Sequence, residues 1–261
     1  MDYGYAFFVL CLHSALCSGL RMSSLRCDHS MLSVYDSLAS ELVGKRGLVK
    51  QHWVGIAGGP GSGKSTLAAA VALRVNELCN AEVAVVLPMD GFHFSRAELR
   101  SIAEGSAGKY SFEDLIARRG SPWTFDAEKI VASLSVAKSL GRAVLPTYSR
   151  QLSDPVEGGV ELKTTHEIIL CEGNYLFNFQ DAKWAGLAPL FDEKWFISCA
   201  DFEAQRQRLI SRHLETWSEE KTRIFGPGAE GAARKADSND VLNAQFIEQS
   251  KSYADRVIVS L

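Results

Sequence analysis

A chain of 261 residues, 46% apolar and 23% charged, has the composition of an ordinary globular protein and can bury a substantial core, as one large α/β domain or two smaller ones. Its formal net charge of −3 excludes nucleic-acid binding by bulk positive charge, leaving only a local basic groove open to that use. No block of like charge, low-complexity tract or internal repeat stands out.

Residues 1–30 form a leader of uncertain status. The stretch is apolar from Tyr5 to Leu12 but carries only Asp2 where a secretory signal would be positive, and it is short for a membrane span. Met22 and Met31 offer later starts, so a mis-called start or disordered leader is expected, with an organelle-targeting or secretory segment as the alternative. Stable membrane association is not expected. Cys11, Cys17 and Cys27 fall here, while Cys79, Cys171 and Cys199 fall at predicted helix or strand positions without CxxC pairing. They read as thiols of a reducing compartment, the cytoplasm fitting best.

From residue 31 the elements alternate. Helical spacing covers 31–43 and GKRG stops it; strands are expected at 52–58 and 81–89, with a helix at 64–78 between them. A polar, mixed region follows at 91–125, then a helix at 126–140 and strands at 142–149, 166–174, 194–199 and 256–261, with helices between. Continuous apolar strands alternating with helices predict a mainly parallel sheet covered on both faces. Ligands of such sheets sit at the carboxyl ends of the strands. The polar segments to examine are therefore 58–65, 90–93, 148–150 and 172–175.

The first of these is GGPGSGKST, which matches the Walker A pattern between a strand and a helix. Gly58, Gly59, Pro60, Gly61, Ser62, Gly63, Lys64, Ser65 and Thr66 are expected to cradle ATP, their backbone amides curling around phosphate oxygens at a helix N-terminus. Lys64 would reach the β- and γ-phosphates, and Ser65 would ligate Mg²⁺. No NKxD guanine-reading motif and no LSGGQ-like signature accompanies it. Asp90, closing the second strand, is placed to take a proton from an attacking hydroxyl; the alternative is a simple Asp-Gly turn. Glu172 ends an apolar strand as a Walker-B-like acid holding Mg²⁺, directly or through water, or else is a solvated acid at the sheet edge.

GGPGSGKST, MDGFHF (89–94), RRGSPWTFD (118–126), LPTYSRQLSDPVEG (145–158), CEGNYLF (171–177) and RLISRH (208–213) come in the order seen in the uridine kinase, phosphoribulokinase and pantothenate kinase superfamily. The chain resembles its nucleoside/nucleotide kinase-like members over roughly 35–261. The resemblance implies a three-layer α/β/α P-loop kinase fold, with one domain over 31–261 and a small helical lid at about 201–240. It also implies ATP-dependent phosphorylation of a small-molecule hydroxyl. In that frame Asp90 matches the acceptor-side general base and Glu172 the metal-associated acid. His93, Tyr148 and Arg150 fall where the acceptor pocket is lined, although Ser149 stands where an Asp often follows the aromatic. RRGSPWTFD either borders the acceptor or supplies a helix entry through Pro122, Thr124 and Asp126.

A helix is expected from Asp201, with Arg208 and Arg212 on one face. In the resembling kinases such arginines close over the phosphates, and an arginine fork suits that task. The alternative is a solvated face pairing with Glu203 and Glu215, which is the expectation for His213. Residues 225–240 read as a glycine-rich mobile segment, and Ser238-Asn239-Asp240 as a helix cap. The acceptor could be a nucleoside, a pantothenate-like alcohol or a sugar. A homodimer is compatible with the sequence. The alternative to a kinase is an NTP-binding regulatory or assembly factor.

Overall fold

Residues 31–260 are described by a computed structural model of the chain; the leader, 1–30 with Cys11, Cys17 and Cys27, lies outside the described residues. In chain order the strands are β1 (His52–Gly58), β2 (Ala84–Pro88), β3 (Ala143–Ser149), β4 (Asp154–Leu162), β5 (Ile168–Gly173), β6 (Glu193–Cys199) and β7 (Arg256–Ser260). The α-helices are α1 (Leu32–Val43), α2 (Lys64–Cys79), α3 (Arg96–Gly105), α4 (Phe112–Ala117), α5 (Ala127–Leu140), α6 (Phe202–Leu214), α7 (Glu219–Phe225), α8 (Gly228–Lys235) and α9 (Val241–Glu248).

Five strands make a parallel sheet in the order β2-β5-β1-β6-β7. Successive side chains of a strand point to opposite faces, and here both faces are covered. On one side Trp53 and Ala57 of β1 join Ile169 and Cys171 of β5 in a core completed by Ile130 and Leu134 of α5. On the other, Val54, Ile56, Ile168 and Leu170 pack with Leu38 and Leu42 of α1 and Leu67 and Val71 of α2. These aliphatic side chains are almost wholly excluded from water, each burial contributing roughly 1.5–3 kcal/mol. The expected α/β/α layering is thus observed. No helix among the described residues is long and apolar enough to cross a membrane.

Three local expectations are corrected. Residues 142–149 do not join the parallel sheet: β3 pairs antiparallel with β4 in a separate ribbon. β4 itself was not foreseen, because most of its residues are exposed and it has no apolar run. The polar stretch 91–125 contains α3 and α4, each begun by a capping box, Ser95 with Glu98 and Ser111 with Asp114. The segment 225–240, read as glycine-rich and mobile, is regular helix from Gly228 on. It forms α8, continues through a π-helical turn at Ala236–Asp240 and runs on into α9. Asp240 accordingly makes no side-chain cap.

Candidate active site

β1 is flanked by β5 on one side and β6 on the other, and the chain leaves its carboxyl end through the glycine-rich loop. A Cβ on Gly58 would lie 2.6 Å from the Ile197 carbonyl oxygen and 2.8 Å from Ser62 Oγ. Gly61 and Gly63 have φ of +77° and +94°, a region that disfavours other residues. Gly63 opens α2 without a side-chain cap, so no side chain occupies the helix's first amides there. Lys64 is 8% exposed with no ion-pair partner among the described residues. Burial draws its ammonium below the ordinary lysine range, while Glu172 and Asp90 oppose that shift. Ser62 Oγ is buried without a partner. The loop thus has the make-up of an anion cradle. From outside it is braced by α6: Gln205 Nε2 donates to the Pro60 carbonyl at 2.7 Å and Arg208 Nη1 to that of Gly61 at 3.3 Å.

Strand parity places the neighbouring acid. Glu172 follows Ile168 and Leu170 on the α2 face of β5, and the Ser65 hydroxyl bonds its carboxylate. Burial raises the Glu172 carboxyl, Lys64 counteracts and Asp90 adds to the rise. A hydroxyl and a carboxylate side by side, with Asp90 near, are hard oxygen donors of the kind Mg²⁺ takes when phosphate oxygens and water supply its remaining ligands. The residues fit that ion.

Pro88 ends β2, and a 3₁₀ turn, Met89–Phe92, presents Asp90. His93 Nδ1 donates to the Asp90 main-chain carbonyl at 2.8 Å. Burial would push the Asp90 carboxyl up, but the charges of His93, Lys64, Arg150 and Arg212 together hold it below the usual aspartate range. Burial also lowers His93, with the Asp90 carboxylate opposing that shift.

Asp90, His93, Tyr148, Arg150 and Arg212 line one cavity of about 190 Å³ beside the phosphate loop, at Pro60. The His93 ring lies 3.8 Å from that of Phe125 and 4.7 Å from that of Tyr148. Lys64 and Glu172 do not line this cavity but are within electrostatic reach of Asp90. Arg208, on the same helix face as Arg212, turns instead to the Gly61 carbonyl and Cys199 Sγ. The RRGSPWTFD block does two jobs. Arg119 and Gly120 line the cavity, whereas Asp126 caps α5 by accepting from Lys129 N at 2.9 Å. Backbone bonds from Phe94 N to Thr124 O and from Asp126 N to Phe92 O, both 2.9 Å, clip the block to the Asp90 turn.

The expectation for His213 is corrected. It is no solvated basic side chain: Nε2 meets Asp240 Oδ2 at 2.7 Å, both side chains are largely buried, and both line the cavity. Burial lowers the His213 ring despite that partner. Asp240 therefore pairs across to α6 instead of capping α9. Neighbouring Asn239 accepts from Ser121 Oγ and donates to the Arg119 carbonyl. Lys235, at the end of α8, lines the same cavity and was not foreseen. Its only sequence signal is a lysine five positions before Asp240, a spacing that shares a face through a π turn.

Comparison with known proteins finds relatives and solved structures named as kinases. No family model matches the chain. The Schizosaccharomyces pombe protein named "Putative uridine kinase C227.14" is 31% identical over 242 residues, 91% of this chain and 95% of that protein. "ATP-dependent kinase YFH7" of Eremothecium gossypii is 28% identical over 196 residues, 64% of this chain and 54% of that protein. Among solved structures, a "putative fructose transport system kinase" from Silicibacter sp. TM1040 superposes with a TM-score of 0.68. It is 26% identical, over 86% of this chain and 98% of that one.

Proposed function

The chain belongs to the P-loop kinases of the uridine kinase, phosphoribulokinase and pantothenate kinase family, and from that premise we propose that it transfers the γ-phosphoryl group of ATP to a hydroxyl of a small metabolite. One observation carries this reading: a phosphate cradle and a separate polar cavity meet at a single ionised carboxylate, Asp90. A nucleotide-binding regulator needs the cradle alone.

In this mechanism the amides of Gly59–Thr66 and the ammonium of Lys64 hold the phosphate chain. Ser65 and Glu172 would hold Mg²⁺, which when bound would neutralise charge on the phosphates. Asp90 accepts the proton of the acceptor hydroxyl as that oxygen bonds to the γ-phosphorus. The bond from that phosphorus to the β–γ bridging oxygen breaks, and ADP leaves. Arg212 and Arg150 face the space where charge gathers on the transferring group. The helices over 201–240 act as the lid, excluding water that would otherwise take the phosphoryl group. The described cysteines are free thiols, which suits a reducing compartment such as the cytoplasm.

The test is ADP release from ATP·Mg²⁺ by the purified protein with nucleosides, sugars, sugar acids and pantothenate, alongside Asp90→Asn. Stimulation by one class, reduced about 10²-fold or more in the variant while ATP binding persists, supports the reading. Stimulation that Asp90→Asn leaves intact removes Asp90 from the mechanism. Tight ATP binding that no acceptor stimulates moves the assignment to a nucleotide-binding regulator.

A further inference from the structure

The charges around the cavity are not balanced. Glu220 is committed to Arg96 at 2.6 Å and Asp240 to His213 at 2.7 Å. Arg119 is engaged by the carbonyls of Ser153 and Phe94 and by Asp154. Lys221 donates to Thr216. Four cations that line the cavity have no ion-pair partner among the described residues, Arg150, Arg212, Lys221 and Lys235, and of these Lys221 is held by Thr216.

Arg150 and Arg212 stand in the field of Lys64 and Asp90, where phosphoryl transfer would occur. Lys235 does not. The groups that act on it are Asp240, Arg212, Arg119, His213 and Lys221, and none of Lys64, Asp90 and Glu172 is among them. It is 9% exposed, its ammonium has no hydrogen-bond partner among the described residues, and that ammonium lies 5.1 Å from the Phe225 ring centre. A cation–π contact compensates only part of the cost of desolvating an ammonium. Unpaired buried charge of this kind is held where a ligand of opposite sign completes it. The cavity thus has a reacting end at Asp90 and a second cationic end at Lys235, with Arg212 between.

We propose that the phosphoryl acceptor is itself an anion, and that Lys235, with Arg212, binds its phosphate or carboxylate group while its hydroxyl lies at Asp90. This rests on the kinase reading and narrows it. Neutral nucleosides and free sugars leave Lys235 uncompensated, whereas hydroxy acids and sugar phosphates do not.

Two measurements decide it, and the first does not require turnover. Protein saturated with Mg²⁺ and the β,γ-imido analogue of ATP, so that the γ-phosphate position is filled, is titrated calorimetrically with inorganic phosphate and, separately, with acetate. Wild type binds at least one of these anions; Lys235→Gln weakens that binding about tenfold or more, and Lys235→Arg restores most of it. Thermal melting of both variants verifies the fold. No anion binding by wild type, or equal binding by Lys235→Gln, overturns the proposal.

The second measurement is turnover on matched sets: glycerol, glycerate and glycerol phosphate; ribose, ribonate and ribose phosphate; uridine and its monophosphate. An anionic member exceeds its neutral counterpart about tenfold or more in kcat/KM, Lys235→Gln erases the preference, and the winning member says whether phosphate or carboxylate is bound. Preference for a neutral member, unchanged in Lys235→Gln, overturns it. If no compound turns over, it is the kinase reading that falls, and the titration still decides whether the Lys235 end binds an anion.

Discussion

Gly91 and Pro146 meet main chain to main chain: a Cβ on Gly91 would stand 2.2 Å from the Pro146 carbonyl oxygen and 2.9 Å from Thr147 N. The β3–β4 ribbon is thereby pressed against the turn that carries Asp90. Gly91→Ala forces backbone apart there, with a stability loss of about 1–3 kcal/mol by urea unfolding. The same shift moves the neighbouring carboxylate, so kcat falls more than ATP affinity does. Equal loss of both would show that the contact supports the fold at large and not the position of Asp90.

The pH profile follows from the state of Asp90. Its carboxyl is held below the usual aspartate range, burial opposing and the surrounding cations prevailing. The proposed base is already ionised at neutral pH. The acid limb of kcat/KM is expected below about pH 4, with no step attributable to this group between pH 6 and 8. A limb near pH 6.5 that Asp90→Asn abolishes would contradict this.

Gln205 is buried, and its amide is the only side-chain donor recorded for the Pro60 carbonyl among the described residues. Gln205→Leu leaves that loop carbonyl without its donor, at a cost of about 1–3 kcal/mol expressed mainly in the loop. ATP binding measured by calorimetry should weaken about tenfold, while unfolding midpoints change little. Unaltered ATP affinity would mean that the loop keeps its shape without α6.

Acid stability has a source outside the site. Glu193, at the start of β6, accepts from His52 and from Trp195 Nε1 and pairs with Lys45, and its carboxyl is lowered from 4.5 to about 2, with the His52 bond as the leading cause. A carboxyl lower in the folded chain binds protons more weakly there than when unfolded. Its contribution is therefore complete above about pH 4.5 and lost as pH falls toward about 2. The size is on the order of 2–3 kcal/mol. Glu193→Gln should lower stability at pH 7 by roughly that amount and flatten the acid loss, as read by denaturant unfolding at pH 7 and pH 3.

What the sequence made legible was set by neighbours along the chain. The phosphate loop, Glu172 and Asp90 each end an apolar strand, and the strand-to-loop transition gives their places without tertiary information. β4 escaped because a ribbon that is largely solvated has no need of apolar residues. Lys235 and the His213–Asp240 pair escaped for another reason. Their burial depends on how α6, α7, α8 and the π turn pack together, and the partners His213 and Asp240 are 27 positions apart. Spacing alone reads Ser238-Asn239-Asp240 as a cap. The inserted π residue, invisible in the pattern, turns Asp240 inward.

That uninterrupted helical path, from Gly228 through the π turn to Glu248, passes Lys235 in the cavity and ends beside the phosphate loop, where Ala244 Cβ lies 3.0 Å from the position of a Cβ on Gly59. The candidate acceptor cavity and the phosphate loop thus rest on one rod. Any energetic communication along it obeys reciprocity: the factor by which an occupied cavity changes nucleotide affinity is the factor by which bound nucleotide changes affinity for the acceptor. The binding order of the two proposed substrates is then a matter of concentration and rate, since either route around the cycle reaches the proposed ternary complex with the same total free energy.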